Sequence, residues 1–384
     1  MKHSSIWSLS AGHFVTDINQ GVLPALLPFF ITEYHLSYAA AAGFVSAFSI
    51  SSTVVQPLFG HFADVFSKPW LMTVGLLLAG YGIASGGAVP GYWLSIACVT
   101  LSGVGIAAFH PEAARLVNRV AGEKKATAMS IFGVGGQAGI AAGPLITTAI
   151  VSWWGLKGTL VLVIPVTAMA VILTRSLLQI STSHATSRGN SAASTPGLAR
   201  DAWGPFTLLT LAVICRSIIF YGLTTFVPLY WINILLQSKA AGATALSIMS
   251  GIGVLGTLIG GKLADRYGHR NFLKVGFAIL IPLLAVFNSV RGVVAATALL
   301  IPIGLVLFST CGPLIVMGQR YLPCRVGFAS GVTLGIAVAI GGVVAPVLGY
   351  IADGHGIRAT FTVLAFLPVI GFVLSFALPP PPSA

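Results

Sequence analysis

His13, Thr16, Asp17 and Gln20 lie three or four residues apart in the stretch GHFVTDINQGVLPALLPFF, so on a helix they share one side. Their neighbours are apolar enough to sit in lipid, where a carboxylate near the centre of a span costs at least ~2.5 kcal/mol on insertion scales. Such a stripe must face water or polar partners. A carboxyl whose surroundings differ between two conformations can take up a proton in one and release it in the other, which is what coupling to a proton gradient requires. The plainer alternative is a polar pair, Asp17 with His13, that holds helices together. Arg216, in VICRSIIFYGL, is the one basic residue deep in an apolar run. Its planar fork suits a carboxylate, phosphate or phosphonate. A fixed Asp17–Arg216 ion pair is the competing reading. Tyr221 extends a milder polar stripe on the same segment, with Ser217 and Thr224.

A third group is FHPEAARLVNR. Pro111 removes a backbone bond beside His110 and Glu112, and Glu112 can pair with Arg115 three residues on. This is either a second titratable site or a helix-end salt bridge beside a packing histidine. In GVGGQAGIAAGP, Gly135, Gly139 and Gly143 repeat every four residues, a spacing that lets helices approach closely in lipid. Gln137 of that stretch is a candidate for the cavity wall.

The elements that must position these residues follow from composition. Of 384 residues, 56% are hydrophobic and 7% charged, against roughly 25% charged in a soluble domain. Mean hydropathy is +0.95. The solvent for this surface must be lipid, and the sequence predicts an all-α membrane protein of twelve transmembrane helices. The spans are expected near 7–31, 39–59, 70–88, 93–115, 126–148, 158–178, 204–230, 240–260, 271–289, 293–318, 327–349 and 357–378. A stretch rich in Ser, Thr, Ala and Gly, 179–203, reads as a cytoplasmic linker between six-helix bundles at 1–178 and 204–384. Lys157, Lys239, Arg291 and Arg358 are the only cations placed on one side; the many others outside the spans fall on the opposite side, which puts both termini in the cytoplasm. That bias also accounts for the net charge of +12 without any nucleic-acid partner. The first apolar run is long and carries an acid, so it reads as a span and not a cleaved leader.

The two halves repeat. GHFADVFSKP from Gly60 aligns with GKLADRYGHR from Gly261, bringing Asp64 onto Asp265 at a shift of 201. Pro111 matches Pro313 and Pro144 matches Pro346, each at 202, and Pro28 matches Pro228 at 200. In the same register Arg216 falls beside Thr16 and Asp17. No GxxxxGK[ST] loop, no metal-spaced His/Cys cluster and no nucleophile triad is visible, so neither an ATP-driven pump nor an enzyme is expected. The four cysteines lack CxxC spacing and read as reduced packing residues.

The paired GxxxD loops resemble the cytoplasmic signature of the major facilitator superfamily, the second copy more closely than the first. GHFVTDINQGVLPALLPF, PLFGHFAD and AFHPEAARL resemble bacterial fosmidomycin-resistance efflux proteins, over nearly the whole chain. The resemblance implies two pseudo-symmetric bundles around a midplane cavity, working by alternating access in the bacterial inner membrane. It implies proton-driven efflux of a small drug or anionic metabolite such as fosmidomycin, by a monomer with no cofactor. Import by symport and a non-transporting receptor or scaffold are the alternatives. Asp17, Glu112 and His13 are the candidates for proton coupling. Arg216, His110, Gln20, Thr16, Tyr221 and Gln137 are the candidates for substrate binding. Asp64, Lys68, Asp265, Arg266, Arg270 and Arg115 are the candidates for the cytoplasmic gate. Many drug–proton antiporters carry an Arg early in span 4, and VTLSGVGIAA departs from them in having none.

Overall fold

Lipid offers the backbone no hydrogen-bond partner, so the apolar runs close their bonds internally as helices. The computed structural model describes residues 3–56, 58–59, 69–121, 125–183 and 201–380, and no strand occurs among them. The first half comprises α1 (His3–Tyr34), α2 (Tyr38–Ser49, continued by a wider turn Ile50–Val54), α3 (Trp70–Ala88), α4 (Tyr92–Val120), α5 (Lys125–Trp154) and α6 (Val163–Ser183). The second comprises α7 (Trp203–Asn233), α8 (Lys239–Tyr267), α9 (His269–Ser289), α10 (Val293–Ser309 with Cys311–Tyr321), α11 (Val326–Gly331 through Ala337–His355) and α12 (Ile357–Ala377). Eleven of these are long and apolar enough to cross a membrane, and α2 is a shorter apolar helix, Tyr38–Val54. Most run several residues past the spans expected from hydropathy, because apolar character marks the lipid core while a helix continues into the interface. Every tryptophan except Trp231 is exposed near a helix end, where an amphipathic ring suits the membrane–water boundary.

Small residues set how closely the helices pack. A Cβ at Gly135 or Gly139 would collide with the carbonyl of Ser10 or Phe14, and one at Gly143 would lie 2.6 Å from that of Ile18. Three glycines four apart on α5 thus receive three α1 residues four apart. The second half repeats the joint: Gly341, 202 residues after Gly139, leaves its Cβ position 2.5 Å from the backbone of Ser217 on α7. Apolar clusters centre on each half, with Leu26, Phe30, Phe44 and Val99 in one and Tyr230, Trp231, Phe287 and Phe361 in the other. Both reach across the seam, through Ala345 and Tyr221 in the first and Ile31 and Tyr38 in the second.

The halves meet along α2 against α11 and α5 against α8. At the end remote from the termini, Asp353 of α11 accepts hydrogen bonds from the backbone N–H of Tyr38 (2.7 Å) and Ala39 (2.9 Å), capping α2 from the opposite half. Lys239 of α8 donates to Thr32 (3.0 Å) and lies 4.4 Å from the centre of the Phe29 ring. Deeper, Ser46 donates to the Gly342 carbonyl at 2.7 Å.

Candidate functional site

The glycine joint fixes the polar stripe of α1 against α5, and α4 closes over it. His13 Nδ1 lies 2.7 Å from the Phe132 carbonyl of α5. A carbonyl only accepts, so Nδ1 carries the hydrogen. The ring stacks on Phe132, centroids 4.0 Å apart, which turns Nε2 toward Asp17. His13 Nε2 stands 3.1 Å from Asp17 Oδ2, and His110 Nε2 stands 3.0 Å from Asp17 Oδ1. Gln20 Nε2 donates to the same Oδ1 at 2.8 Å. The carboxylate is 4% exposed.

Proton accounting constrains this cluster. With Nδ1 of His13 already donating, the Nε2–Oδ2 contact is attractive only if Nε2 or the carboxyl carries a further proton; otherwise two lone pairs face each other. The arrangement can therefore hold and pass a proton. His13, Asp17 and His110 also place three ligand-type atoms within 4.8 Å of one another, a donor set that would admit a metal ion. Spacing along the chain gave no sign of this convergence, since His110 lies 93 residues from Asp17. In this structure the two imidazoles and Gln20 already engage the carboxylate.

Arg216 is 7% exposed on α7. Its Nε donates to the Leu307 carbonyl (3.0 Å) and to Thr310 Oγ1 (3.1 Å) on α10. Among the described residues no ion pair joins it to Asp17, so the fixed-pair reading is set aside: each charge is held within its own half. Glu112 and Arg115 do pair, Nη2 to Oε1 at 2.6 Å, with Glu112 2% exposed.

Between the halves lies a cavity of about 50 Å³, lined by Gln20, Phe48, Phe220, Tyr221, Thr224 and Ser250 among others. Gln20 and Tyr221 thus stand at the cavity. Thr16 is fully buried and bonds back to the Gly12 carbonyl at 2.9 Å. Arg216, His110 and Gln137 also lie outside the lining, and the Gln137 side-chain oxygen is buried without a partner. Phe48 and Ser250 were missed, being unremarkable in sequence. Of the gate candidates, Asp265 faces His269 of its own half at 3.4 Å, Arg270 donates to the Phe376 carbonyl at 2.9 Å, and Arg266 lies 5.4 Å from the Tyr267 ring. Asp64 and Lys68 lie outside the described residues.

A twelve-helix bundle in two related halves, with a cavity between them and a buried acid one hydrogen bond away, has the build of a membrane transporter. The Major Facilitator Superfamily model matches residues 9–346, and the chain belongs to that family. It is 31% identical over 378 residues to YfnC, an uncharacterized MFS-type transporter of Bacillus subtilis, covering 96% of this chain and 90% of that protein. It is 25% identical over 379 residues to the fosmidomycin resistance protein of Escherichia coli K12, covering 96% and 91%. A bacterial homolog of the human lysosomal transporter Spinster, solved in an inward-facing and occupied conformation, superposes with a TM-score of 0.82 at 16% identity, over 98% of this chain and 96% of that one. The protein is a multi-pass membrane transporter of this fold.

Proposed function

We propose that the protein exports a small anionic compound in exchange for protons, with phosphonates such as fosmidomycin among its substrates. The observation that carries this reading is the link between cavity and acid: Gln20 lines the cavity and donates to Asp17, which His13 and His110 contact in turn. A proton gained or lost at Asp17 changes what Gln20 is bound to, and with it the wall offered to substrate. Asp17 is the carrier, His13 and His110 are its partners, and Glu112 is a second titratable group. A cavity of about 50 Å³ is well below the ~300–1,000 Å³ of small-molecule sites, so substrate enters only when the halves move. Arg216, one helical turn from Phe220 on the cavity-lining helix, is then the counter-charge for an anion. Thr16 and Gln137 flank this path on α1 and α5.

The name of the Escherichia coli relative supports both the direction and the substrate class. The fold supports alternating access. The protein works as a monomer in the bacterial inner membrane, with both termini in the cytoplasm and the proton gradient as its sole energy source. The tight α8–α9 junction carrying Asp265, Arg266 and Arg270, the corresponding stretch with Asp64 and Lys68, and Arg115 control the cytoplasmic end.

Everted vesicles test the reading. Fosmidomycin added to the exposed cytoplasmic face should dissipate an imposed proton gradient with the wild type and leave it intact with Asp17→Asn. An equal response from both proteins would defeat the assignment of Asp17. A response only to substrate loaded inside the vesicles would replace export by import.

A further inference from the structure

On the face that carries the termini, away from the cavity, a second pocket of about 390 Å³ opens between the start of α9, the end of α10 and the tail after α12. Its charged lining is Arg270, Arg320, His269 and Asp265. We propose that it binds a phosphate-bearing anion. Four observations bear on this. The volume lies in the ~300–1,000 Å³ range of small-ligand sites. The first turn of α9 (Gly268, His269, Arg270 and Asn271) forms part of the wall, so the free N–H groups of a 21-residue helix lie at the site. Arg270 is anchored through Nη2 to the Phe376 carbonyl, while its Nε is buried with no hydrogen-bond partner: a guanidinium N–H that lacks an acceptor. The far wall is built too, since Tyr321 donates to the Pro379 carbonyl at 2.6 Å and Lys274 lies 4.2 Å from the centre of the Phe376 ring.

Asp265 opposes an anion, but its side chain is 75% exposed and its one contact among the described residues is to His269, which is 7% exposed and faces the site. Two arginines and a helix N-terminus outweigh one solvated carboxylate. A basic pocket at the membrane–water boundary of a helical membrane protein can take the headgroup of an anionic phospholipid. Inorganic phosphate or a soluble phosphate ester offers the same chemistry.

The test uses the full chain in phosphatidylcholine nanodiscs, with and without phosphatidylglycerol. Native mass spectrometry counts retained lipid, and thermal unfolding in inorganic phosphate against chloride at matched ionic strength reports soluble anion. Arg320→Gln, which leaves the Arg270–Phe376 bond in place, should weaken binding about fivefold, and Arg270→Gln with Arg320→Gln further. Lys262→Gln with Arg266→Gln, exposed on the same face but outside the pocket, should bind as the wild type does. Retained phosphatidylglycerol identifies lipid as the source, and a shift with phosphate alone identifies a soluble ligand; either supports the site. The proposal fails if neither binds, if Arg320→Gln binds as tightly as wild type, or if the control pair weakens binding as much as Arg320→Gln.

Discussion

Asp17 and Arg216 occupy related places on α1 and α7, yet their surroundings differ in kind. The acid is held by two imidazoles and an amide, all side chains, two of which can change charge. The arginine is held by a backbone carbonyl and a hydroxyl, neither of which titrates in the working range. The first half therefore carries a switchable charge and the second a fixed one. Under the proposed function, a duplicated fold divides the labour between its copies while keeping the same glycine joint in both.

The strongest challenge to that division is Asp17→Asn. Proton-linked exchange in vesicles should fall by more than about tenfold, a loss of at least ~1.4 kcal/mol of coupling, while gel filtration still shows a folded protein. Retained coupling would mean the switch lies elsewhere, with Glu112 next in line. The joints come second. Gly139→Val on α5 and Gly341→Val on α11 should each cost about 1–3 kcal/mol, read as a lower unfolding temperature, because each new side chain meets facing backbone. Gly133→Val, with nothing within 4 Å, is the silent control on α5. A silent Gly341→Val beside a damaging Gly139→Val would show that the second joint is looser than the first.

A finer contrast pits His110→Gln against Arg216→Lys. Both should slow transport several-fold, on the order of 1 kcal/mol. Only the histidine variant should change the shape of the activity–pH profile, since Arg and Lys keep their charge across that range. A reshaped profile in Arg216→Lys would erase the distinction between switchable and fixed. The smallest effect belongs to Lys239→Gln, which loses one hydrogen bond to Thr32 and a ring contact at Phe29 at a partly exposed site. It should cost about 0.5–1 kcal/mol, seen as a small fall in unfolding temperature with Thr32 left in place.

How much of this was readable from the chain depends on distance along it. The spans and the α1 stripe rest on local periodicity and the repeat on short motifs matched in register, and the spans match the helices except at their ends. The Glu112–Arg115 pair is three residues long and was equally plain. His110 against Asp17 was not, because nothing local marks a contact across 93 residues. The competing reading of a fixed Asp17–Arg216 pair could not be decided from sequence: equal depth in two helices says nothing about which face each presents, and α10 supplies Leu307 and Thr310 as partners for Arg216. Gln20 was recognised as polar, but its place between cavity and acid depends on α2, α5, α7 and α8 meeting around it.

Asp353 gives the arrangement seen in this structure a handle. Because its two oxygens terminate a helix that belongs to the other half, parting the remote end strips two backbone donors at once, each bond to a charged group worth about 1.5–3 kcal/mol. Water must flood in to replace them, so the unlatching step is a hydration event. Its speed should respond to solutes that compete for water at that rim, even ones too large ever to enter the transport path.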